Sequence, residues 1–515
     1  MNGRSSRRDD RRRRRRRVGA IAAVSAIVVV ALGVGALAVT GGGGGSKEQA
    51  TPNSTTSTIP PTTTTTKPPY TGWVDPESAF QPYYKATVPG LLTFRGNPTR
   101  NYYGLGPVPA APKVVWQYPG AAMCSQSEDR GETTNWCGNG WTGQPAVFER
   151  DGRTWVVFGA YDRNVHFVDA ITGQPIIPPF PTGDIIKGSV TIDPDGFPLA
   201  YMGSRDGYFR IIAFDRPTPT ELWKIHAKDV SPTMWNDDWD GSGLVLNDHL
   251  FEGGENSQLH IVKLNRATGA DGLVTVNPQL VFNAPGWDDE LLANAGSEVS
   301  IEGSVAVSGN TLWFSNSGGL VQGWDISGLL DGSSMPTRTF RYWTGDDTDA
   351  SIVIDELGFL YGGTEWERRT AQGRANGQMW KLNPTVPFAP LVWSGHDNSE
   401  SKAGVFGTPG IYGDLIVYTT YSGRLIGMDR NTGAVRWEKR LPAPLMASPV
   451  IVDAKLLIGD CAGVFHAYDV TNTLIDPPEV WQVPLGSCIE ATPAVWKGRI
   501  YVGTRGGFEY ALADA

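Results

Sequence analysis

Four side chains carry the chemistry that most needs positioning. Lys187, Asp240, Glu302 and Asp349 each open a short apolar run that begins with a small residue: KGSVTI (187–192), DGSGLV (240–245), EGSVAV (302–307) and DASIVI (349–354). Carboxylates are hard oxygen ligands that suit Ca²⁺, which makes Asp240, Glu302 and Asp349 the candidate metal ligands. With Lys187 included, the same set also reads as a polar ligand pocket. A third reading is an ion-pair network in which the lysine neutralises its neighbours inside a wet channel. A second group places acids beside indoles: MWNDDWDG (234–241), GWDDE (286–290) and TGDDTD (344–349). Asp237, Asp238, Trp239, Trp287, Asp288, Asp289, Asp346 and Asp347 would form an acidic, Trp-rich face that can hold a sugar, or a basic peptide through cation–π contacts. Taken singly, such Trp residues pack between structural units and such acids solvate loops.

These residues converge only if the elements bearing them are arranged in a ring. The four runs belong to a series of eight, continued by GQPAV (143–147), GTPGIY (407–412), ASPVIV (447–452) and ATPAVW (491–496). Aligned on their first letters, the series sets Gly143, Gly407, Ala447 and Ala491 beside the four charged residues. Most runs are followed by a second strand ending near Gly, then a third such as NVHFVDA or RLIGMD, then a fourth that often carries Trp, as in VRWEKR. Four short strands per unit at a period of about 40–60 residues, repeated eight times, is a β-propeller pattern. The last unit, ending GFEYALADA, lacks its fourth strand, whereas KVVWQYP (113–119) has no three strands before it. That segment is expected to complete the last blade and close the ring, which removes an open sheet edge.

The motif GMDRNTGAVRW (427–437) has looser copies at FVDAITGQPI (167–176) and KLNRATGADG (263–272). Asp followed by Thr-Gly makes a tight turn, with the carboxylate accepting turn N–H groups and Gly taking positive φ. The spacing of Gly427, Asp429, Thr432, Gly433 and Trp437 resembles the pyrroloquinoline-quinone (PQQ) repeat, and TFRGNPTRN (93–101) resembles the segment that commonly precedes such propellers. The resemblance covers about residues 90–515. It implies an eight-bladed propeller, and it implies two kinds of function. One is that of PQQ- and Ca²⁺-dependent quinoprotein alcohol dehydrogenases, in which Lys187, Asp240, Glu302 and Asp349 would hold the metal or act as base. The other is that of non-enzymatic relatives such as the barrel-assembly lipoprotein of outer membranes. Neither transfers whole: the dehydrogenases carry two adjacent Cys over the quinone, absent here, and the lipoprotein begins at a lipid-bearing Cys, whereas no Cys precedes Cys124.

The N-terminal region is of another kind. Residues 1–17 hold ten Arg, including Arg11–Arg17, against Asp9 and Asp10. Residues 18–40 are 23 uncharged, mostly apolar residues, long enough to cross a bilayer as a helix, with the Arg run held in the cytoplasm by the positive-inside rule. Ala36-Leu37-Ala38 also fits a signal-peptide cleavage site, but the apolar run exceeds a usual signal core and favours an uncleaved anchor. Residues 41–70 are rich in Gly, Thr and Pro and read as a disordered, extended tether open to O-glycosylation. Residues 71–112 are an extended lead-in, and 113–515 the propeller.

The chain has a net charge of −9; with +8 in the first 17 residues, the remainder carries −17. So acidic a body is not built for nucleic acid. Four Cys in an oxidising compartment suggest two disulfides. Cys461 follows the second strand of the seventh unit and Cys488 precedes the eighth, which puts both on one face of adjacent blades, and Cys124 pairs with Cys137 in the loop before the first. No hydrolase signature is present, and His166, His260 and His466 fall on strands as packed residues. The sequence therefore points to a monomeric, membrane-anchored, extracytoplasmic propeller that binds a cell-envelope protein, peptide or glycan, with the dehydrogenase as alternative.

Overall fold

The alternation of short apolar runs with turns produces eight antiparallel sheets in chain order. They are blades 1 (146–181), 2 (191–226), 3 (244–285), 4 (306–343), 5 (353–395), 6 (410–440), 7 (450–484) and 8 (494–513). The computed structural model describes residues 68–129, 131–140 and 143–514. The expected anchor at 18–40 and nearly all of the tether lie outside them; among the described residues no helix is long and apolar enough to cross a membrane.

Closure follows the expectation. Lys113–Tyr118 forms the outer strand of blade 8 and pairs antiparallel with Glu509–Ala513, Trp116 opposite Ala511. In seven blades the outer strand pair carries a β-bulge, which sharpens the twist that lets neighbouring sheets stack radially. The core is the apolar packing between these sheets, as where Leu425 and Trp437 of blade 6 share a cluster with Leu456 and Phe465 of blade 7.

The Asp-Thr-Gly turns explain how one blade docks on the next. In blade 6, Asp429 Oδ1 accepts the N–H groups of Asn431 (2.9 Å) and Thr432 (2.8 Å), and Gly433 takes φ +74°. The indole of Trp393, from blade 5, lies against this glycine and donates to Arg430 O at 3.0 Å. Blade 1 repeats the arrangement with Asp169, Gly173 at φ +68° and Trp116 of blade 8, which donates to Ala170 O. The third copy differs. Ala267–Thr268 and Val274–Thr275 form a separate small hairpin inserted before the outer strand of blade 3.

The lead-in is more than extended. Residues 90–105 run along the propeller axis and bond to every blade. Gly90 and Leu91 pair with Phe148 and Val147 of blade 1, and Leu92 O accepts Ile192 N of blade 2 at 2.7 Å. Pro98 O accepts Val307 N of blade 4, Thr99 O accepts Ile354 N of blade 5, and Gly104 pairs with Val495 of blade 8. Two fully buried arginines complete the set. Arg100 donates to Ser242 O (2.7 Å) of the blade 3 entry and to Val305 O (2.8 Å) of the blade 4 entry. Arg95 donates to Thr408 O (3.2 Å) and Pro409 O (2.6 Å) before blade 6, and to Pro449 O (2.9 Å) before blade 7. A guanidinium presents five donors in a fixed fork, so each arginine ties two adjacent blades through neutral carbonyls.

Candidate functional site

Where the inner strands begin, the segment entering each blade meets the turn between its second and third strands. A ladder of hydroxyls fixes the register there. Gln144 N donates to Ser189 Oγ (2.7 Å), Ser242 N to Ser304 Oγ (3.0 Å), Ser304 N to Ser351 Oγ (2.8 Å), Ser351 N to Thr408 Oγ1 (3.0 Å) and Thr408 N to Ser448 Oγ (2.9 Å). The rim residue stands two places before each hydroxyl. Lys187, Asp240, Glu302 and Asp349 therefore do share one ring position, but in blades 6 to 8 that position is held by Phe406, Met446 and Glu490. Gly407, Ala447 and Ala491 are one place off, because an alignment on the first small residue slips by one where the run begins with a single small residue before Ser or Thr.

The four expected residues fall into two groups. Lys187 Nζ lies 2.7 Å from Asp238 Oδ2, 2.7 Å from Asp240 Oδ2 and 3.1 Å from Glu255 Oε1, and no side chain of the four is more than 4% exposed. Arg205 Nε stands 3.6 Å from Asp238 Oδ2, and Asn236 Nδ2 donates to Glu255 Oε2. Burial and the crowding of carboxylates push the Asp240 carboxyl up, and the Lys187 ammonium opposes this. Glu302 and Asp349 form the second group. Ser300 Oγ donates to Glu302 Oε1 at 2.7 Å, and Ser317 Oγ lies 3.2 Å from Glu302 Oε1 and 2.9 Å from Asp349 Oδ1.

The acid–indole loops are mostly used internally. Trp239 is 1% exposed and donates to Gly207 O, so it is a packing residue of blades 2 and 3 and not part of an open surface. Asp346 is buried and accepts the backbone N–H groups of Asp347, Glu367, Arg368 and Arg369, shaping the loop that leads to the helix Ala371–Asn376. Asp347 beside it is buried as well. Asp288 caps the helix Asp289–Ala295 through Leu291 N and receives Arg341 and Arg338, and the hydrogen bonds from Arg341 hold its carboxyl well below the usual carboxylate range. Trp287 is half-buried against the cluster of Leu291, Val299 and Leu320, Asp237 pairs with Lys228, and Asp289 is exposed.

Both disulfides form as expected. Cys461–Cys488 joins blades 7 and 8 at the rim, and Cys124–Cys137 pins the hairpin Cys124–Asp129 / Glu132–Cys137. Trp136 on that hairpin packs against Tyr161, with the Arg505 guanidinium 5.0 Å from the Trp136 ring and 4.7 Å from the Tyr161 ring. Arg505 also pairs with Glu490 at 3.2 Å. Glu255, Arg205, Glu490, Arg505, Trp136 and Tyr161 were not legible as site residues. Only Glu490 had a usable signal, its place two before a Thr.

The rim does not fit a resident Ca²⁺ and quinone. The point towards which Asp238, Asp240 and Glu255 converge is held by Lys187 Nζ, and no two Cys are adjacent to form a ring over a cofactor.

Residues 366–507 match a PQQ-repeat family model described as outer membrane protein assembly factor BamB. The chain is an eight-bladed β-propeller, of which residues 366–507 match the PQQ-repeat family. No curated protein matches the sequence. Among solved structures this propeller is similar to BamB from Moraxella catarrhalis, with a TM-score of 0.50 and 13% identity over 78% of this chain and 98% of that one. It is similar also to quinohemoprotein alcohol dehydrogenase from Comamonas testosteroni, with a TM-score of 0.51 and 14% identity over 82% and 80%. A computationally designed protein, Ika8, matches at a TM-score of 0.50 and 12% identity over 72% and 96%. At such identities the likeness speaks for the fold alone.

Proposed function

We propose that this PQQ-repeat propeller is a binding and scaffold module, held on the outer side of a membrane by residues 18–40, and that its rim face docks a protein of the cell envelope. The observation that carries the non-enzymatic reading is the pairing at the rim. The carboxylates that a metal or a general base would need are taken up by Lys187 and by the hydroxyls of Ser300 and Ser317. What the rim offers outward is preformed relief: the disulfide-pinned hairpin 124–137, the helix Asp289–Ala295 and the 366–377 loop. Arg368 ties the last two together by donating to Ala295 O and Ser317 O. Two disulfides suit an oxidising compartment, and the family model matched by residues 366–507 describes an outer membrane protein assembly factor. A peptide or glycan would use the same face.

The test is capture from envelope extract with full-length protein in detergent, comparing wild type with Glu132→Lys/Asp289→Lys, which reverses two exposed charges of that relief. Loss of a specific partner in the variant supports the proposal. Partners retained unchanged, or dye-coupled oxidation of alcohols once PQQ and Ca²⁺ are supplied, would overturn it.

A further inference from the structure

The group formed by Asp238, Asp240 and Glu255 has the form of a metal site. Each offers one carboxylate oxygen, and these atoms all lie within 4.8 Å of one another. Three such atoms all fit within about 2.8 Å of a common point, close to the roughly 2.3–2.6 Å of a Ca²⁺–oxygen bond. Lys187 Nζ sits near that point, at 2.7, 2.7 and 3.1 Å. The side chain comes from the entry of blade 2, whereas all three acids belong to blade 3: two on its entry and one on its second turn. Gly140 lies against the Lys187 backbone so closely that a Cβ there would collide with the Lys187 carbonyl. Buried charges persist only when paired, and the three acids hold one another's charge in check only while a cation stays among them.

We infer that Lys187 is the propeller's built-in cation: its ammonium stands where a hard divalent ion would otherwise be required, and removing it turns Asp238, Asp240 and Glu255 into a Ca²⁺-type site. This deepens the scaffold reading, since a tethered ammonium keeps the junction of blades 2 and 3 closed without a metal, yet it does not depend on which partner binds. With Lys187 gone, the three carboxylates lose the ammonium that lies among them, and a divalent ion can offset the negative charge so uncovered. With Lys187 present, an incoming ion would have to displace an ammonium that cannot leave, because it is part of the chain.

The experiment uses Tb³⁺, a hard Ca²⁺-like ion whose emission is sensitised by nearby indoles, of which Trp239 is the neighbour in sequence. Full-length Lys187→Ala and Lys187→Met in detergent are titrated against wild type. We expect saturable Tb³⁺ emission in both variants, at least 10-fold tighter than any in wild type, competed by Ca²⁺ and abolished when Asp240→Asn is added. Ca²⁺ should also raise the melting temperature of the variants, whereas EDTA should leave that of wild type unchanged. Should Lys187→Ala fold only when Ca²⁺ is supplied, the inference is equally supported. Tb³⁺ uptake equal in wild type and variants, folded variants that take up none, a variant that Ca²⁺ does not rescue, or a wild type that loses stability in EDTA would each overturn it. None of these outcomes bears on partner capture, which tests the scaffold reading separately.

Discussion

Replacing Arg95 by Met should destabilise the whole ring. The side chain is fully buried and donates to four carbonyls, those of Arg100, Thr408, Pro409 and Pro449, with the Tyr103 ring 4.4 Å from its guanidinium carbon. Methionine fills a similar volume but donates nothing. Each carbonyl left buried without its donor costs about 1–3 kcal/mol. Burial disfavours the Arg95 charge, so removing the cation returns part of that cost, and the low end of the range applies: about 4 kcal/mol for the four. Unfolding entropy is about 2.1 cal/mol/K per residue, or about 0.9 kcal/mol/K over a propeller of roughly 440 residues, which converts the loss to a fall of about 4 °C in Tm. Scanning calorimetry of wild type, Arg95→Met and Arg95→Lys measures it. Lysine should not rescue, because one ammonium lacks the fork that reaches both blade entries at once. A Tm within about 1 °C of wild type for Arg95→Met would refute the claim that the axial arginines hold the blades, whatever their geometry.

Two further outcomes follow from local features. Burial alone would lower the His466 pKa, but hydrogen bonds to Asp460 and Glu479 outweigh it and the imidazolium is favoured. A raised folded-state pKa adds stability that is complete below the ordinary value near 6.5 and is lost as pH rises through the folded value. The stability difference between wild type and His466→Gln, followed by urea denaturation, should therefore shrink from pH 6 to pH 8; a difference that grows with pH would contradict the pairing. Gly433→Ala should cost about 1–3 kcal/mol, since a Cβ there meets positive φ and the Trp393 ring at 2.7 Å, whereas Gly413→Ala, with positive φ but open space, should cost less. Equal losses at the two positions would mean that the Trp393 docking contributes nothing.

The ring of blades could be read from the sequence because each inner run pairs a small residue with an apolar stretch, and because Trp116 had no sheet of its own to join. The disulfides were legible because two turns of adjacent blades are forced onto one face. Two things were hidden. A slip of one residue moves every side chain of a strand to the opposite face, and letters alone did not distinguish Ala491 from Glu490. The place of Thr492 sets that register, since it stands two residues before its inner strand as Thr408 and Ser448 stand before theirs. Arg95 and Arg100 looked like surface charges in a polar lead-in, because an arginine buried among main-chain carbonyls leaves no complementary carboxylate in the sequence to announce it. Trp239 misled for the converse reason: it stands among acids in the chain but turns its ring inward.

The axial segment also sets a schedule. Residues 90–105 emerge before any blade, yet their partner Val495 belongs to blade 8, the last blade in chain order. A chain synthesised from its N-terminus must carry this strip, with its two arginines still hydrated, until blade 8 arrives. Contacts spanning so much of the chain are slow to form. A copy halted before residue 495 would have neither its last blade nor the partner for its axis, and so would be marked as unfinished for any protease that inspects it.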